Sequence, residues 1–308
     1  MRPKLQGLIA APHTPFRADG SFAPDIVAEQ ARWLASSGVV GVFVGGTTGE
    51  WPSLTVGERR ELFEAWAAHR GELLFIAHVG HNCQRDAMEL ARAAVECGAQ
   101  ATSAIAPSFF RPQSGRECAD YYAPIAAAAR DLPFFVYHIP GMTGIRVSPD
   151  EQLAACLAAI PNMAGMKFTD PDLYAYGRCV TKFGDRCDLV WGVDEILLGA
   201  LAYGATAAVG STYNYAAPLY RAMIDAHERG DRARATELGL CATQLVEALI
   251  DAGVLAGGKA LMARRGIDCG PPRPPVAPLT AEQRERLLDR VDAVDALADH
   301  GAVCHGAE

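Results

Sequence analysis

Eight short apolar segments recur roughly every 20 to 35 residues along the first two thirds of the chain. Most are near-continuous runs of Val, Ile, Phe and Ala, without the alternation of apolar and polar residues that marks a strand with one wet face. Runs of this kind are typical of strands buried on both faces of a parallel sheet. The segments are GLIAAPHTPF (7–16), VVGVFVGG (39–46), LLFIAHVG (73–80), ATSAIAPSFF (101–110), PFFVYHIP (133–140), MAGMKFTD (163–170), DLVWGVDE (188–195) and TAAVGSTYN (206–214).

Helical periodicity fills the intervals between these segments, and several helices have recognisable start signals. Residues 55–58 (TVGE) and 148–151 (SPDE) fit the capping box, the second with proline at the first helical position. Asp170 follows a strand and precedes a proline, which predicts a helix cap. Eight strands alternating with helices predict an α/β fold, a (β/α)₈ TIM barrel, with an open doubly wound sheet as the weaker alternative.

The remainder of the chain carries no further strand pattern. Residues 218–255 are helical in pattern, and residues 280–297 form a final helix behind the cap TAEQ. A proline-rich stretch, 270–278, connects them. We therefore expect a single domain over 1–308, with the barrel core in 1–217 and C-terminal helices in 218–300 packed on it.

Composition narrows the function classes. The chain is 50% hydrophobic and 21% charged, a composition that allows a large core. Its net charge of −8 lacks the excess of basic residues that nucleic-acid binding requires. No polybasic run, signal peptide or long apolar stretch points to a membrane. The nine cysteines are scattered without a CxxC pair, as in reduced proteins. These features predict a cytoplasmic enzyme that binds a small molecule, not nucleic acid or membrane.

Lysines are scarce, since only four of the 28 basic residues are lysines. Lys167 lies inside an apolar strand, where removal from water disfavours the ammonium and leaves the free amine that imine formation requires. Pairing with a buried carboxylate, or reaching to the barrel mouth, explains such a lysine equally well. Lys259 ends GVLAGGKA, which is close to a Walker A motif, but Ala260 offers no hydroxyl to a metal and no strand precedes it.

Function in a barrel of this type is carried at the carboxyl ends of the strands. The glycine-rich turn GGTTGE (45–50) could bind a carboxylate or serve only as a tight turn. A buried tyrosine or an acidic pair before a helix has an equally plain structural explanation. The polar residues that follow strands are Thr47, Thr48, Tyr137, Lys167, Thr169, Asp194, Glu195 and Ser211.

One cluster of potential ligands after the third strand could indicate a metal site, but the support for it is weak. His78, His81 and Cys83 follow the third strand, but this spacing across a strand end rarely converges, and no fourth ligand is evident. The sequence therefore favours no metal.

The motifs GGTTGE, YHIPGMTG, GMKFTD, GVDE and GSTYN occur in an order and at intervals that resemble the pyruvate-dependent class I aldolases of the dihydrodipicolinate synthase/N-acetylneuraminate lyase family. The resemblance covers residues 7–275. It implies that Lys167 forms the Schiff base, that Tyr137 shuttles the proton, and that Thr47 and Thr48 bind the pyruvate carboxylate. It also implies a homotetramer and neither metal nor organic cofactor.

Within this family, the chain is most similar to the N-acetylneuraminate lyase branch. Met142 stands where the dihydrodipicolinate synthases carry an arginine for a second carboxylate. Phe110 stands where many members place a relay tyrosine that reaches a neighbouring subunit, so water or Thr47 would have to serve there. The resemblance implies that the polyhydroxylated part of a sugar acid is bound by Thr169, Gly192, Asp194, Glu195 and Ser211.

These features predict a carbon–carbon lyase that cleaves N-acetylneuraminate reversibly to N-acetylmannosamine and pyruvate. Three alternatives remain within the enzyme class: another pyruvate-dependent aldolase or dehydratase acting on a different 2-keto sugar acid, a metal-dependent aldolase, and a dihydrodipicolinate synthase. Outside it, a sugar-acid-binding regulator on an inactive aldolase scaffold remains an alternative.

Overall fold

The computed structural model describes residues 4–299, and their side chains through Val294. Eight parallel strands close into a barrel in which each strand pairs with the next along the chain and the eighth pairs with the first. The predicted TIM barrel is confirmed, and each of the eight apolar segments contains one strand. The strands are β1 (Gly7–Ala10), β2 (Gly41–Val44), β3 (Leu74–His78), β4 (Ala101–Ile105), β5 (Phe134–His138), β6 (Met163–Phe168), β7 (Asp188–Trp191) and β8 (Ala207–Gly210).

Helices follow the strands around the outside of the barrel, and short 3₁₀ helices cover 24–26, 51–53 and 194–196. The α-helices are α1 (Val27–Ser36), α2 (Val56–His69), α3 (Gln84–Glu96), α4 (Gly115–Ala128), α5 (Pro140–Thr143), α6 (Pro149–Ala159), α7 (Leu173–Phe183), α8 (Leu197–Ala202), α9 (Tyr213–Glu228), α10 (Arg232–Ala252), α11 (Val254–Arg264) and α12 (Ala281–Asp299). Since α9 begins at Tyr213, the predicted core boundary at residue 217 falls inside a helix. Residues 1–3 and 300–308, including Cys304, lie outside the described residues.

The capping predictions have mixed outcomes. Residues 55–58 and 280–283 form reciprocal capping bonds as predicted. Residues 148–151 do not, because the Glu151 carboxylate accepts instead from the Gly115 amide at 2.7 Å in the neighbouring helix. The prediction of Asp170 as a cap is wrong by two residues. Asp172 caps α7 by accepting from the Ala175 amide at 2.9 Å.

Alternate residues of each strand face opposite sides, which divides the core into two layers. Side chains such as Ile9, Phe43 and Tyr137 fill the barrel interior. Their strand neighbours, such as Leu8 and Val42, pack outward against the helices. A residue on the inner face near a strand's carboxyl end therefore lies in a closely packed space that opens only at the barrel mouth.

The C-terminal helices build a third apolar layer on one side of the barrel. Tyr215, Leu245, Leu261 and Val291 come from α9, α10, α11 and α12 and pack together with Trp33 of α1. Over residues 4–299, no single helix is both long enough and apolar enough to cross a membrane. The helix pair Arg232–Ala252 and Val254–Arg264 is together long and apolar enough for a membrane span, but the two helices are bent by 115° relative to each other.

Candidate active site

Lys167 projects from β6 into the barrel interior and is 5% exposed. Its Nζ atom lies 4.0 Å from the centre of the Tyr137 ring and 4.3 Å from the centre of the Phe43 ring. Among the side chains of residues 4–294, no carboxylate forms a salt bridge with Lys167. The two structural explanations left open by the sequence, a buried ion pair and an extended reach to solvent, therefore do not describe this side chain. The faces of these two aromatic rings attract positive charge, and an iminium formed on this amine would carry one.

Tyr137 is opposite Lys167 in the β5–β6 register and is buried. Its hydroxyl lies 3.1 Å from the Thr47 hydroxyl, a hydrogen bond in which either group could donate. The ring meets Phe43 and His78 edge-on. These contacts hold the phenol beside the lysine and give its oxygen a hydroxyl partner, an arrangement that suits proton transfer.

The turn that carries Thr47 and Thr48 is anchored through Glu50. Glu50, at its end, has a left-handed backbone with φ of 56°, unusual for a residue with a side chain. Its carboxylate pairs with Lys259 at 2.9 Å and accepts from the Arg273 amide at 2.9 Å. Both Thr47 and Thr48 are half-buried at the mouth. The turn is thus anchored by side chains and backbone from the C-terminal extension.

The acidic pair after β7 has two different environments. Asp194 is buried, and one of its oxygens accepts from the Thr212 amide at 2.9 Å and the Thr212 hydroxyl at 2.7 Å. Burial raises the pKa of Asp194, against the opposing effect of the Thr212 hydrogen bonds. Burial, and then the charge of Asp194, raises the pKa of the half-buried Glu195. Ser211 is half-buried just before Thr212. One oxygen of Asp194 is therefore committed to the scaffold, and its other oxygen is buried without a hydrogen-bond partner among the described residues.

Thr169 and Gly192 lie against each other at the ends of β6 and β7. The Thr169 hydroxyl is buried without a hydrogen-bond partner among the described residues. A Cβ atom on Gly192 would lie 2.1 Å from that hydroxyl, so a larger residue cannot stand there unless Thr169 moves. A buried hydroxyl without a partner calls for an explanation, and a ligand that completes its hydrogen bonding is one.

Two departures from the family pattern lie on the surface. Phe110 is 85% exposed and its ring meets that of Phe109 edge-on with centres 5.0 Å apart. It has no contact with Tyr137 within the chain, whereas Thr47 does. Met142, in α5, is also exposed and offers no charge.

Sequence reasoning missed one buried basic residue beneath the site. Arg59 is fully buried, and no carboxylate pairs with it among the described residues; it donates to the carbonyls of Gly80 and His78. Burial lowers its pKa to about 9. Arg59 continues the helical stripe of Leu62 and Phe63, and a charge on that stripe was the signal available in the sequence.

His78, first considered as a metal ligand, is instead part of the barrel interior. Its Nδ1 donates to the Gly45 carbonyl at 2.8 Å, and burial, reinforced by the charge of Arg59, lowers its pKa well below the usual value. It therefore stays neutral and braces the turn that begins at Gly45. His81 and Cys83 lie outside the barrel interior and gather near Asp86, not near His78.

Lys259 is explained by structure and not by nucleotide binding. Its ammonium bonds Glu50 and also donates to the Pro271 carbonyl at 3.0 Å, and it lies within α11 with no strand before it. Burial holds its pKa below the usual value despite the charge of Glu50.

Comparison with known proteins agrees with this geometry. Residues 4–294 match the Dihydrodipicolinate synthetase family. A human protein named N-acetylneuraminate lyase is 37% identical over 301 residues, which cover 96% of this chain and 94% of the human one.

Solved structures give the same picture. The chain superposes on an N-acetylneuraminate lyase of Proteus mirabilis with a TM-score of 0.92 and 41% identity, covering 95% of this chain and 99% of the other. An N-acetylneuraminate lyase (sialic acid aldolase) from Aliivibrio salmonicida gives a TM-score of 0.93 and 40% identity, with 96% and 98% covered.

Proposed function

The chain belongs to the dihydrodipicolinate synthetase family, and from that premise we propose that it is an N-acetylneuraminate lyase, a class I aldolase that cleaves N-acetylneuraminate reversibly to N-acetylmannosamine and pyruvate. The observation that carries the proposal is a buried lysine that pairs with no carboxylate of the described residues, in contact with the ring of a tyrosine whose hydroxyl is already hydrogen-bonded. It occurs in a chain similar to lyases of that name over nearly its full length.

In the proposed reaction, the Lys167 amine attacks the C2 keto carbon of the open-chain sugar acid, and loss of water gives an iminium. The electron pair of the C3–C4 bond then moves into the iminium and leaves an enamine. Tyr137, which has given its own proton to the departing water, takes the proton of the C4 hydroxyl as the bond breaks, so that C4 becomes the aldehyde carbon of N-acetylmannosamine. Protonation of the enamine at C3 and addition of water to the imine release pyruvate and restore the amine.

Thr47 and Thr48 are proposed to hold the substrate carboxylate. Their half-buried hydroxyls lie on a turn whose end is locked by the Glu50–Lys259 pair, which supports a fixed attack geometry. The Thr47–Tyr137 hydrogen bond also supports a proton path that needs no hydroxyl at Phe110.

The polyhydroxylated end of the sugar acid is assigned to the other side of the mouth. Thr169 supplies a hydroxyl that is free among the described residues, Gly192 leaves it room, and Asp194, Glu195 and Ser211 supply acceptors and a further hydroxyl. Two adjacent carboxylates favour a neutral polyol chain and repel a second substrate charge. Together with the uncharged Met142, this supports a sugar acid over the dicarboxylic substrate of a dihydrodipicolinate synthase.

The test is borohydride trapping with N-acetylneuraminate as the sole ligand, read by intact mass and peptide mapping. We expect an adduct of pyruvate mass on Lys167, because reduction captures the imine that remains after cleavage. Lys167→Ala should give no adduct and no turnover, while the surface variant Lys182→Ala should behave as wild type. An adduct of the whole sugar acid would reject this substrate as the one cleaved. Absence of an adduct with pyruvate as well would reject the mechanism.

The assembly, compartment and domain organisation are further proposals. We propose a homotetramer, supported by the exposed aromatic pair Phe109–Phe110 beside the barrel mouth, and native mass spectrometry would test it. The eight described cysteines form no disulfide with one another, which supports a reducing cytoplasm. The apolar contacts between the C-terminal helices and α1 support a single domain that unfolds in one transition.

A further inference from the structure

The loop between β3 and α3, together with the first turn of α3, brings three metal-binding side chains together at the barrel mouth. One ligand atom each from His81, Cys83 and Asp86 can be chosen so that all lie within 4.8 Å of one another. Each residue is at least partly accessible, and none has a part in the proposed reaction. We propose that His81, Cys83 and Asp86 bind a divalent cation of the zinc type.

The charges within the cluster point to a cation. The Nδ1 atom of His81 accepts a hydrogen bond from the Cys83 amide at 3.0 Å, and the same atom lies 3.3 Å from an oxygen of Asp86. An imidazole nitrogen that accepts carries no proton, so its lone pair and the carboxylate repel each other at this distance. A positive species between or beside them removes the repulsion. A metal ion bound to both groups does so, and it takes the lone pair of Nδ1 in place of the Cys83 amide hydrogen.

The spacing of the ligand atoms fits a metal ion. Ligand atoms in a tetrahedral zinc site, with bonds of about 2.0–2.3 Å, lie roughly 3.3–3.6 Å apart. The His81–Asp86 distance already has that value. The Cys83 thiol is exposed and does not cap α3, and its sulfur lies within 4.8 Å of the ligand atoms of His81 and Asp86.

The backbone of the loop is fixed by contacts that involve no ligand atom. The Tyr121 hydroxyl donates to the His81 carbonyl, and the Asn82 side chain accepts from the Ser108 amide at 2.8 Å. The Gln84 side chain donates to the Tyr121 carbonyl at 2.8 Å. A cation therefore meets a loop that is already ordered and does not have to organise it, which favours binding.

The donor set selects the ion. One imidazole nitrogen, one thiolate and one carboxylate suit zinc, whereas calcium and magnesium require oxygen ligands. Three protein ligands leave a fourth position for water. The site is separate from the catalytic lysine but adjoins it through rings, since His81 meets Trp51 edge-on and Trp51 contacts His78.

The test uses the full chain, freed of metal by a chelator, and follows alkylation of individual thiols by peptide mapping. We expect one equivalent of Zn²⁺ to slow alkylation of Cys83 by at least about tenfold and leave the half-buried Cys97 unchanged, because a metal-bound thiolate is shielded. Addition of chelator should restore the rate. Co²⁺ should give a thiolate-to-metal absorption band in wild type and none in Cys83→Ser.

The matched variants are Asp86→Asn and Glu89→Gln, two carboxylates of the same helix. Asp86→Asn should lose the protection of Cys83, whereas Glu89→Gln, whose carboxylate faces Arg60, should keep it. The proposal is overturned if zinc fails to protect Cys83 in wild type, or if both variants are protected equally. The second result would mean that a surface thiol binds zinc without the cluster. Circular dichroism checks that each variant is folded, and the outcome is independent of lyase activity.

Discussion

The buried pair between Lys259 and Glu50 offers the sharpest test of how the site is supported. The two residues are 3% and 2% exposed, and their charged atoms are 2.9 Å apart. Replacing Lys259 by Met removes the cation and keeps most of the volume. The Glu50 carboxylate is then left buried with the Arg273 amide as its remaining donor.

The expected cost is large because the remaining charge is uncompensated. Breaking a buried pair by removing one partner destabilises a protein by about 3–5 kcal/mol. Replacing both partners removes that penalty, so the double variant Lys259→Met/Glu50→Gln should be more stable than Lys259→Met alone. The desolvation that lowers the pKa of Lys259 despite its partner indicates the same balance.

The assay is urea unfolding of wild type, both single variants and the double variant at one protein concentration, since the oligomeric state affects the midpoint. Lys182→Met is the control: its ammonium also contacts a carboxylate at 2.6 Å, but it is 48% exposed and should cost less than about 1 kcal/mol. The reasoning is refuted if Lys259→Met costs no more than Lys182→Met, or if the double variant loses the sum of the single losses.

Three further predictions follow from the site and the core. Burial lowers the pKa of His13 to about 3 and of His138 to about 4, so both are neutral in the fold. Because the unfolded chain protonates them below pH 6.5, each should lower the free energy of unfolding by about 1.4 kcal/mol per pH unit as the pH drops towards 4. Urea unfolding at pH 7.5, 6 and 5 should show that slope, and His13→Leu should reduce it. Gly192→Ala forces the Thr169 hydroxyl aside and should raise KM for N-acetylneuraminate, while trapping with pyruvate alone is kept; an unchanged KM would remove Thr169 from the sugar site. Tyr137→Phe should lower kcat by about 10²–10⁴-fold in a coupled pyruvate assay, and a loss below tenfold would assign the proton transfer elsewhere.

The fold was predictable because the signals that specify it are local. Strands buried on both faces leave unbroken apolar runs, and all eight runs contain a strand. Helix starts were less secure, since a capping signal competes with tertiary partners. Glu151 has the right spacing for a box with Ser148 but meets the Gly115 amide of another helix instead. Nothing within four residues of Glu151 announces that contact.

The candidate site likewise contains residues that local sequence signals indicated and contacts that only the packed fold shows. Lys167 was noticeable because a charge interrupts an apolar strand, and the family motifs indicated Tyr137 and Thr47. The structure adds the direct contact between the lysine amine and the tyrosine ring and the hydrogen bond between the two hydroxyls. Arg59 was missed because a basic residue near the start of a helix ordinarily lies in solvent, and only the packed fold shows that no carboxylate of the described residues pairs with it.

The C-terminal extension is best understood as part of the site and not as an addition to the barrel. A barrel of eight strands already has its core and its mouth, yet the turn that presents Thr47 and Thr48 ends at Glu50 in a strained left-handed conformation. Such strain persists only where surrounding contacts outweigh it. Those contacts come from Lys259 and from the Arg273 amide, more than 200 residues further along the chain. The turn proposed to bind the carboxylate is therefore completed only when the C-terminal extension has packed, which links the proposed activity of the barrel to the folding of that extension.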